Sequence, residues 1–213
     1  GLVGSEMCIR DRDSGRGITK GTKLYVKDVP VLAVPYFNFP IDDRRTTGIL
    51  NPTFGFSNDG GFELAVPVYL NLAPNYDATV TPRYYADRGT MLEGQFRYIT
   101  ENFGEGKISG AYLPEDKKYN DQDRKDLKFL HNWDINDYWS TNLEYNYASD
   151  KDFTADLNSS PDSKTDLNLR RAWVLNYKNQ IPGLKAQLKV EDFQTLDKTV
   201  ADIDRPYARL PQF

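Results

Sequence analysis

Apolar and polar residues alternate one by one along most of this chain. From Phe62 to Leu72 the even positions are all apolar, while the odd ones include Glu63 and Asn71. From Asp77 to Tyr85 the apolar set is Ala78, Val80, Pro82 and Tyr84, set against Asp77, Thr79, Thr81 and Arg83. Leu184 to Glu191 gives the cleanest alternation, with Leu184, Ala186, Leu188 and Val190 on one side and Lys185, Gln187, Lys189 and Glu191 on the other. Weaker versions cover 92–98, 107–113, 127–135, 139–147 and 167–177. Successive strand residues point to opposite faces, so period two predicts strands with one apolar and one polar face. No segment of similar length has a helical period, and the expected class is all-β.

Run length and connection length narrow this class. The runs extend over about ten residues, which matches a tilted membrane-crossing strand rather than the 5–6 residues common in soluble sheets. Asn136-Asp137 predicts a tight turn, and the connection 178–183 is also short. The connections 114–126, 148–166 and 194–209 read as long and polar. Short turns alternating with long loops suit a membrane β-barrel with unequal rims. The expected sheet is antiparallel, with Leu64, Val66, Val68 and Leu70 facing lipid and Glu63 and Asn71 facing the lumen. Tyr84, Tyr85, Tyr112, Trp133, Tyr138, Trp139, Tyr145, Tyr147 and Tyr177 lie near run ends. They suit an interfacial aromatic girdle, with ordinary cross-strand pairing as the alternative for some of them.

Composition agrees with strict alternation. Aromatics make up 13% of the 213 residues and charged residues 27%, and mean hydropathy is −0.66. Disordered chains combine such polarity with few aromatics, which does not fit here. Net charge is −4, which leaves no basic nucleic-acid footprint. No apolar run is long enough for a membrane helix, a fact that does not bear on barrels. Cys8 has no second cysteine to pair with. Residues 1–12 resemble translated adapter sequence and are set aside from the fold, with a genuine N-terminus as the alternative. They lack the regions of a signal peptide.

Chemistry is sparse. The sole histidine, His131, alternates with Phe129 and Trp133 and has no adjacent nucleophile or base, so it reads as a barrel-wall residue. Asp42-Asp43-Arg44-Arg45 reads either as an ion-paired junction or as a phosphate-binding fork, the junction being favoured. Glu115, Asp116, Asp121, Asp123 and Asp126 are interleaved with Lys117, Lys118, Arg124 and Lys125 and read as a solvated mixed-charge loop rather than a calcium site. No enzymatic activity, cofactor or metal site is expected. Pro52, Pro67 and Pro82 each sit in or beside a strand-like run, although proline cannot donate a ladder hydrogen bond. Taken singly each proline reads as a bulge; clustered, they predict a weakly paired seam.

One continuous stretch carries a family resemblance. Val29-Pro30-Val31-Leu32-Ala33-Val34-Pro35-Tyr36-Phe37-Asn38-Phe39-Pro40-Ile41-Asp42-Asp43-Arg44-Arg45-Thr46-Thr47-Gly48-Ile49-Leu50 resembles the segment joining a periplasmic jelly roll to a barrel in the lipopolysaccharide-assembly protein LptD family. The likeness continues through Val66-Pro67-Val68-Tyr69, Asn71 to Asp77, Thr79 to Tyr84 and Phe96-Arg97-Tyr98, and returns at Arg205 to Gln212. Ile49 and Ala208 are minor departures. The resemblance implies the end of a periplasmic jelly roll and junction over 13–45, followed by the first strands of an incomplete outer-membrane barrel over 46–213.

It also implies lipopolysaccharide as cargo, received through a periplasmic LptA bridge and passed through a lateral opening into the outer leaflet. A lipoprotein, LptE, would plug the barrel, the barrel-assembly machinery would insert it, and outer-membrane lipid would surround it. Pro67 and Pro82 match family prolines beside the lateral gate. The family's cysteines are missing, so its disulfides cannot be read, and the chain has the look of a gene fragment. The alternative is a fragment of a general outer-membrane porin or channel, which would lack the junction.

Overall fold

The computed structural model describes residues 16–26, 29–40, 45–157, 168–178, 184–198 and 209–212. Strands β1 (Arg16–Val26) and β2 (Val29–Pro40) form a two-stranded antiparallel sheet of their own. The second sheet contains twelve strand segments, all antiparallel, in chain order from hairpin to hairpin. They are β3 (Gly48–Ile49), β4 (Thr53–Ser57), β5 (Gly61–Ala65), β6 (Val68–Ala73), β7 (Tyr76–Tyr85), β8 (Gly89–Thr100), β9 (Gly104–Asp116), β10 (Gln122–Asp134), β11 (Trp139–Ala148), β12 (Asn168–Lys178), β13 (Lys185–Thr195) and β14 (Arg209–Gln212). Among the described residues this sheet stays open, with β4 and β14 at its ends. The expected all-β antiparallel sheet is the one observed.

The first four segments are two interrupted strands. β5 and β6 pair with β7 in one register, from Glu63↔Tyr85 through Ala65↔Arg83 to Val68↔Val80. Only the stretch Val66-Pro67 falls out of regular strand. β3 and β4 pair with β6 and β5 in registers that differ by one residue, Ile49↔Val68 against Thr53↔Ala65. An extra residue therefore bulges out near Asn51-Pro52. Joined in this way, the sheet has ten strands.

Cross-strand partners share a face, so the registers divide the sheet into two surfaces. On one side lie Leu64, Tyr84, Leu92, Ile108, Leu127, Phe129, Tyr145, Trp173 and Val190. Many of these are exposed, Leu92 at 53% and Trp173 at 40%. On the other side lie Glu63, Asp77, Arg97, Lys107, Lys128, Glu144, Arg170 and Glu191. We call the apolar side the outer face and the polar side the inner face. Leu64, Val66, Val68 and Leu70 share the outer face and Glu63 and Asn71 the inner one, as the alternation requires.

The outer face is held by rings as well as by the ladder. Tyr98 donates to or accepts from His131 Nδ1 at 2.7 Å, and Phe96, Tyr98, His131 and Phe129 form a chain of ring contacts with centroids 5.9–6.2 Å apart. Gly106 lies beneath this chain, and a Cβ there would stand 2.4 Å from the Tyr98 ring. Glycine lets Tyr98 lie flat across strand β9 to reach His131 on β10. The tight turn expected at Asn136-Asp137 is present, closed by the Asn136 side-chain oxygen, which accepts from the backbone N–H of Tyr138 and Trp139.

Two expectations need correction, and one short element joins the all-β fold. The long loop expected at 114–126 is a short turn, because β9 runs to Asp116 and β10 begins at Gln122. Charged side chains there continue the strands and find partners, so polarity alone misread them as loop. Tyr85 belongs to no girdle: it faces inward, is 2% exposed and donates to the Leu157 carbonyl at 3.0 Å. One helical turn, α1 (Phe153–Leu157), interrupts the all-β pattern within the connection after β11. No helix among the described residues is long and apolar enough to cross a membrane, which says nothing about β-barrels.

Candidate functional site

The three prolines converge at one level of the sheet. Leu50 N–H donates to the Pro67 carbonyl at 2.8 Å, and Val66 N–H donates to the Pro82 carbonyl at 3.1 Å. In a hydrogen-bonded antiparallel pair two residues exchange both bonds. Each of these pairs therefore makes one bond of two, since proline has no N–H to return. Pro67 weakens the joint between the first and second strands, and Pro82 the joint between the second and third. Pro52, one residue before the Thr53↔Ala65 pair, sits at the level of Val66 within the bulge. The ladder is thinned across three successive strands along one line.

Below this line the segment that precedes β3 is tied to the inner face. Asp42, Asp43 and Arg44 lie outside the described residues, but Arg45 is described. Its guanidinium pairs with Asp77 and donates from Nε to the Tyr69 hydroxyl at 3.0 Å. Arg97 clasps the same carboxylate with two bonds of 2.8 and 2.7 Å. Asn71 donates from its side chain to the Arg45 carbonyl at 2.8 Å, and its own N–H donates to Thr47 Oγ1 at 2.9 Å. The Arg45 half of the charged junction is thus ion-paired. Asp77 and Arg97 were missed in the sequence, where only strict alternation placed them on the inner face.

Further along the wall, inner-face polar groups pair across strands. Arg83 and Glu93 bridge β7 and β8 at 2.7 Å. Arg170 joins Glu144 at 2.7 Å and Glu191 at 2.6 Å, spanning β11, β12 and β13. Asn132, Asn142, Asn176 and Gln187 form an amide ladder over four strands at 2.8–3.4 Å.

The opposite rim is closed by a knot of turns. Arg124, fully buried, binds Asp150 at 2.6 Å, Asp156 at 2.8 Å and the fully buried Asp116 at 3.0 Å, and its guanidinium lies 4.3 Å over the Tyr119 ring. Arg88 adds a 2.7 Å bond to Asp116 and a 2.8 Å bond to the Asp59 carbonyl. Burial would raise the Asp150 carboxyl, but hydrogen bonds from Arg124 and Ser149 outweigh it and hold the group below its ordinary value. Phe153 and Leu157 of α1 join Tyr85, Met91 and Leu113 in the main apolar cluster, so the turn folds inward over the inner face. A cavity of about 280 Å³ remains between α1 and strands β7 to β10. The solvated mixed-charge loop expected here is therefore wrong for Asp116 and Arg124. Its carboxylates face arginines from neighbouring turns, which spacing along the chain could not reveal. Among the described residues no acidic, histidine or cysteine group is arranged to hold a metal.

An antiparallel sheet with a bare apolar outer face, an ion-paired inner face and strands of up to 13 residues is the wall of a membrane β-barrel. Residues 122–213 match the family model described as LptD, LPS transport system D. The chain is 78% identical over 203 residues to the LPS-assembly protein LptD of Acinetobacter baylyi and, to the same extent, to that of Acinetobacter baumannii. It is 46% identical over 210 residues to the protein of the same name from Psychrobacter cryohalolentis. Each match covers 95% of this chain but only 21–25% of the relative. The chain belongs to the LptD family and spans about a quarter of the length of these Acinetobacter relatives.

Proposed function

We propose that this chain is the gate-bearing part of a lipopolysaccharide translocon in the outer membrane, with no enzymatic step. Residues 46–213 supply the first strands of the barrel, and 13–45 the end of the periplasmic jelly roll that hands cargo to it. The observation that carries the reading is the proline line. Three adjacent strands each hold a proline at one level, and two of the resulting pairs keep one hydrogen bond of two. In lipid no water replaces the missing bond, so a permanently closed wall gains nothing from such defects. A lateral opening for an amphipathic cargo does. Lipopolysaccharide needs such an opening because its acyl chains must leave sideways while its sugars cross the wall through the polar interior.

The relatives' name, LPS-assembly protein, supports the cargo. The Arg45–Asp77–Arg97 cluster supports a fixed junction, which keeps the jelly roll in line with the seam. In this reading LptA delivers cargo from the periplasm, LptE fills the barrel, and the barrel-assembly machinery inserts it. The test is a full-length protein with Pro67→Ala and Pro82→Ala, supplied to cells that depend on it. Stiffening the seam should lower surface lipopolysaccharide and raise sensitivity to large antibiotics at normal protein abundance. Normal surface lipopolysaccharide and an intact permeability barrier would remove the prolines from gating.

A further inference from the structure

The inner wall carries two lysines, Lys107 and Lys128, that stand apart from its arginine–carboxylate pairs. Arg97 on β8 and Lys107 on β9 are directly opposite, on the same face. Like charges so placed weaken a strand pair. One row further toward the α1 rim, Gln95, Ser109 and Lys128 stand opposite one another in turn. Among the described residues neither Lys107 nor Lys128 makes a salt bridge, although many inner-face charges do.

Three of the nearby carboxylates are engaged by arginines, while Asp126 lies close enough to Lys128 to attract it. Asp77 is shared between Arg45 and Arg97, and Glu93 is held by Arg83. Glu144 is bound by Arg170, which also holds Glu191. Asp126, one row above Lys128, accepts from the Ala111 N–H at 2.6 Å, and Glu105 lies one row below Lys107. Two open hollows meet at Lys107 and Leu130. One, of about 320 Å³, is also lined by Lys128, Ser109, Asn146 and the Arg170–Glu144 pair. The other, of about 260 Å³, is also lined by Arg97, Asn132 and Glu105.

We propose that Lys107 and Lys128, with Ser109 between them, form an anion site for a phosphate group on a saccharide passing along the inner wall. The inference deepens the proposed function by assigning a contact for the cargo's phosphates. Two ammonium groups and a hydroxyl supply donors only or by choice, which suits a phosphate with several acceptor oxygens. Flexible lysine stems suit a ligand that must arrive and leave better than a rigid bidentate fork does. The flanking Asn132–Asn142 amides offer neutral donors and acceptors to neighbouring sugar hydroxyls.

The experiment uses the full-length protein in detergent with a photo-reactive p-benzoylphenylalanine at Gln95, which faces Ser109 across the strand pair, or at Asn142 as a second inner-face position. Lipopolysaccharide, the same material with its phosphates removed, and phosphatidylglycerol are presented in turn, with inorganic phosphate as competitor. Labelling at Gln95 by intact lipopolysaccharide should fall about tenfold on dephosphorylation and in the Lys107→Gln, Lys128→Gln pair. The Lys107→Arg, Lys128→Arg pair should restore it, and labelling at Asn142 should persist throughout. Equal labelling with and without phosphates, or in the glutamine pair, overturns the site while leaving the translocon reading intact. Labelling by phosphatidylglycerol as strong as by lipopolysaccharide also overturns it, since the site would then read any lipid headgroup. If lipopolysaccharide labels neither position, yet inorganic phosphate protects Lys107 and Lys128 from amine modification, the anion site stands and the cargo assignment falls.

Discussion

Strands β3 to β6 and strands β7 to β13 share one sheet and one pair of faces, yet they are held together by different means. In the second group the ladder runs unbroken over 10–13 residues per strand, apart from a shift near Gln122/Arg124. Cross-strand ion pairs, an amide ladder and the buried Arg124 knot reinforce it. In the first group the ladder is cut by a bulge and by two proline positions, and side-chain support comes from the inner-face cluster at Asp77 and from the Ser57–Glu63 bond between β4 and β5. The difference teaches that weakness here is written in missing backbone donors, which no side chain can replace. Strength is written in charges that meet only after folding. A wall tied by charges beside strands thinned of backbone donors follows from these two kinds of residue.

The largest effect should come from the wall. Arg124→Met takes the arginine from Asp150 and leaves the buried Asp116 and its neighbour Asp156 to Arg88 alone. Breaking a buried pair by removing one partner costs about 3–5 kcal/mol. The denaturant midpoint of the full-length protein in micelles should fall accordingly, with α1 released from the inner face. A midpoint unchanged within error would show that the knot adds nothing to the wall.

Asp77→Asn should come next. It keeps the shape but removes the charge that two arginines share, so a cost of about 1.5–3 kcal/mol is expected from the lost charge-assisted bonds. The loss should centre on the junction. A disulfide-trapping pair between the Arg45 segment and β6 should form more slowly in this variant, while the Arg124 knot remains intact. Equal trapping rates would detach Asp77 from the junction.

A smaller and opposite effect belongs to the seam. Pro67→Ala and Pro82→Ala each return one donor, to Leu50 and Val66 respectively, for about 0.5–1.5 kcal/mol apiece. Each should slow amide exchange only at its own joint, the first at Leu50 and the second at Val66. Protection spreading through β8 to β13 would mean that seam and wall are not separate, and the contrast drawn here would fail.

Much of this was legible in the sequence. Period two at Leu184–Glu191 and Phe62–Leu72 placed both faces correctly, because alternation is a local property of strands. The prolines were also legible, since a missing donor is a fact about one residue. Their alignment was not, because it depends on a bulge at Asn51-Pro52 that shifts the register by one. The Arg124 knot was least legible: Asp116, Asp150 and Asp156 come from two separate connections, and only their convergence turns surface charge into buried pairs. Tyr85 was misread for the same reason, since nearness to a turn does not say which face a ring occupies.

The smallest effect expected is a pH dependence at the knot's outer edge, outside the membrane span. The Asp150 carboxyl is pushed up by burial and pulled down more strongly by hydrogen bonds from Arg124 and Ser149, so its folded value lies below the ordinary 3.8. A depressed carboxyl binds fewer protons when folded than when unfolded. Its contribution is complete above about pH 5, begins to fade as pH approaches the unfolded value near 4, and is gone once pH drops below the folded value. Other carboxylates titrate over the same range, so the useful quantity is a difference between proteins. Denaturant midpoints of the wild type and Asp150→Asn should differ at pH 6 and converge as pH falls below 4, with the wild type losing more. The gap should survive moderate salt, since Asp150 is largely shielded from solvent in its pair with Arg124. A gap that stays constant from pH 6 to 3 would mean that Asp150 packs against the knot without holding it by charge.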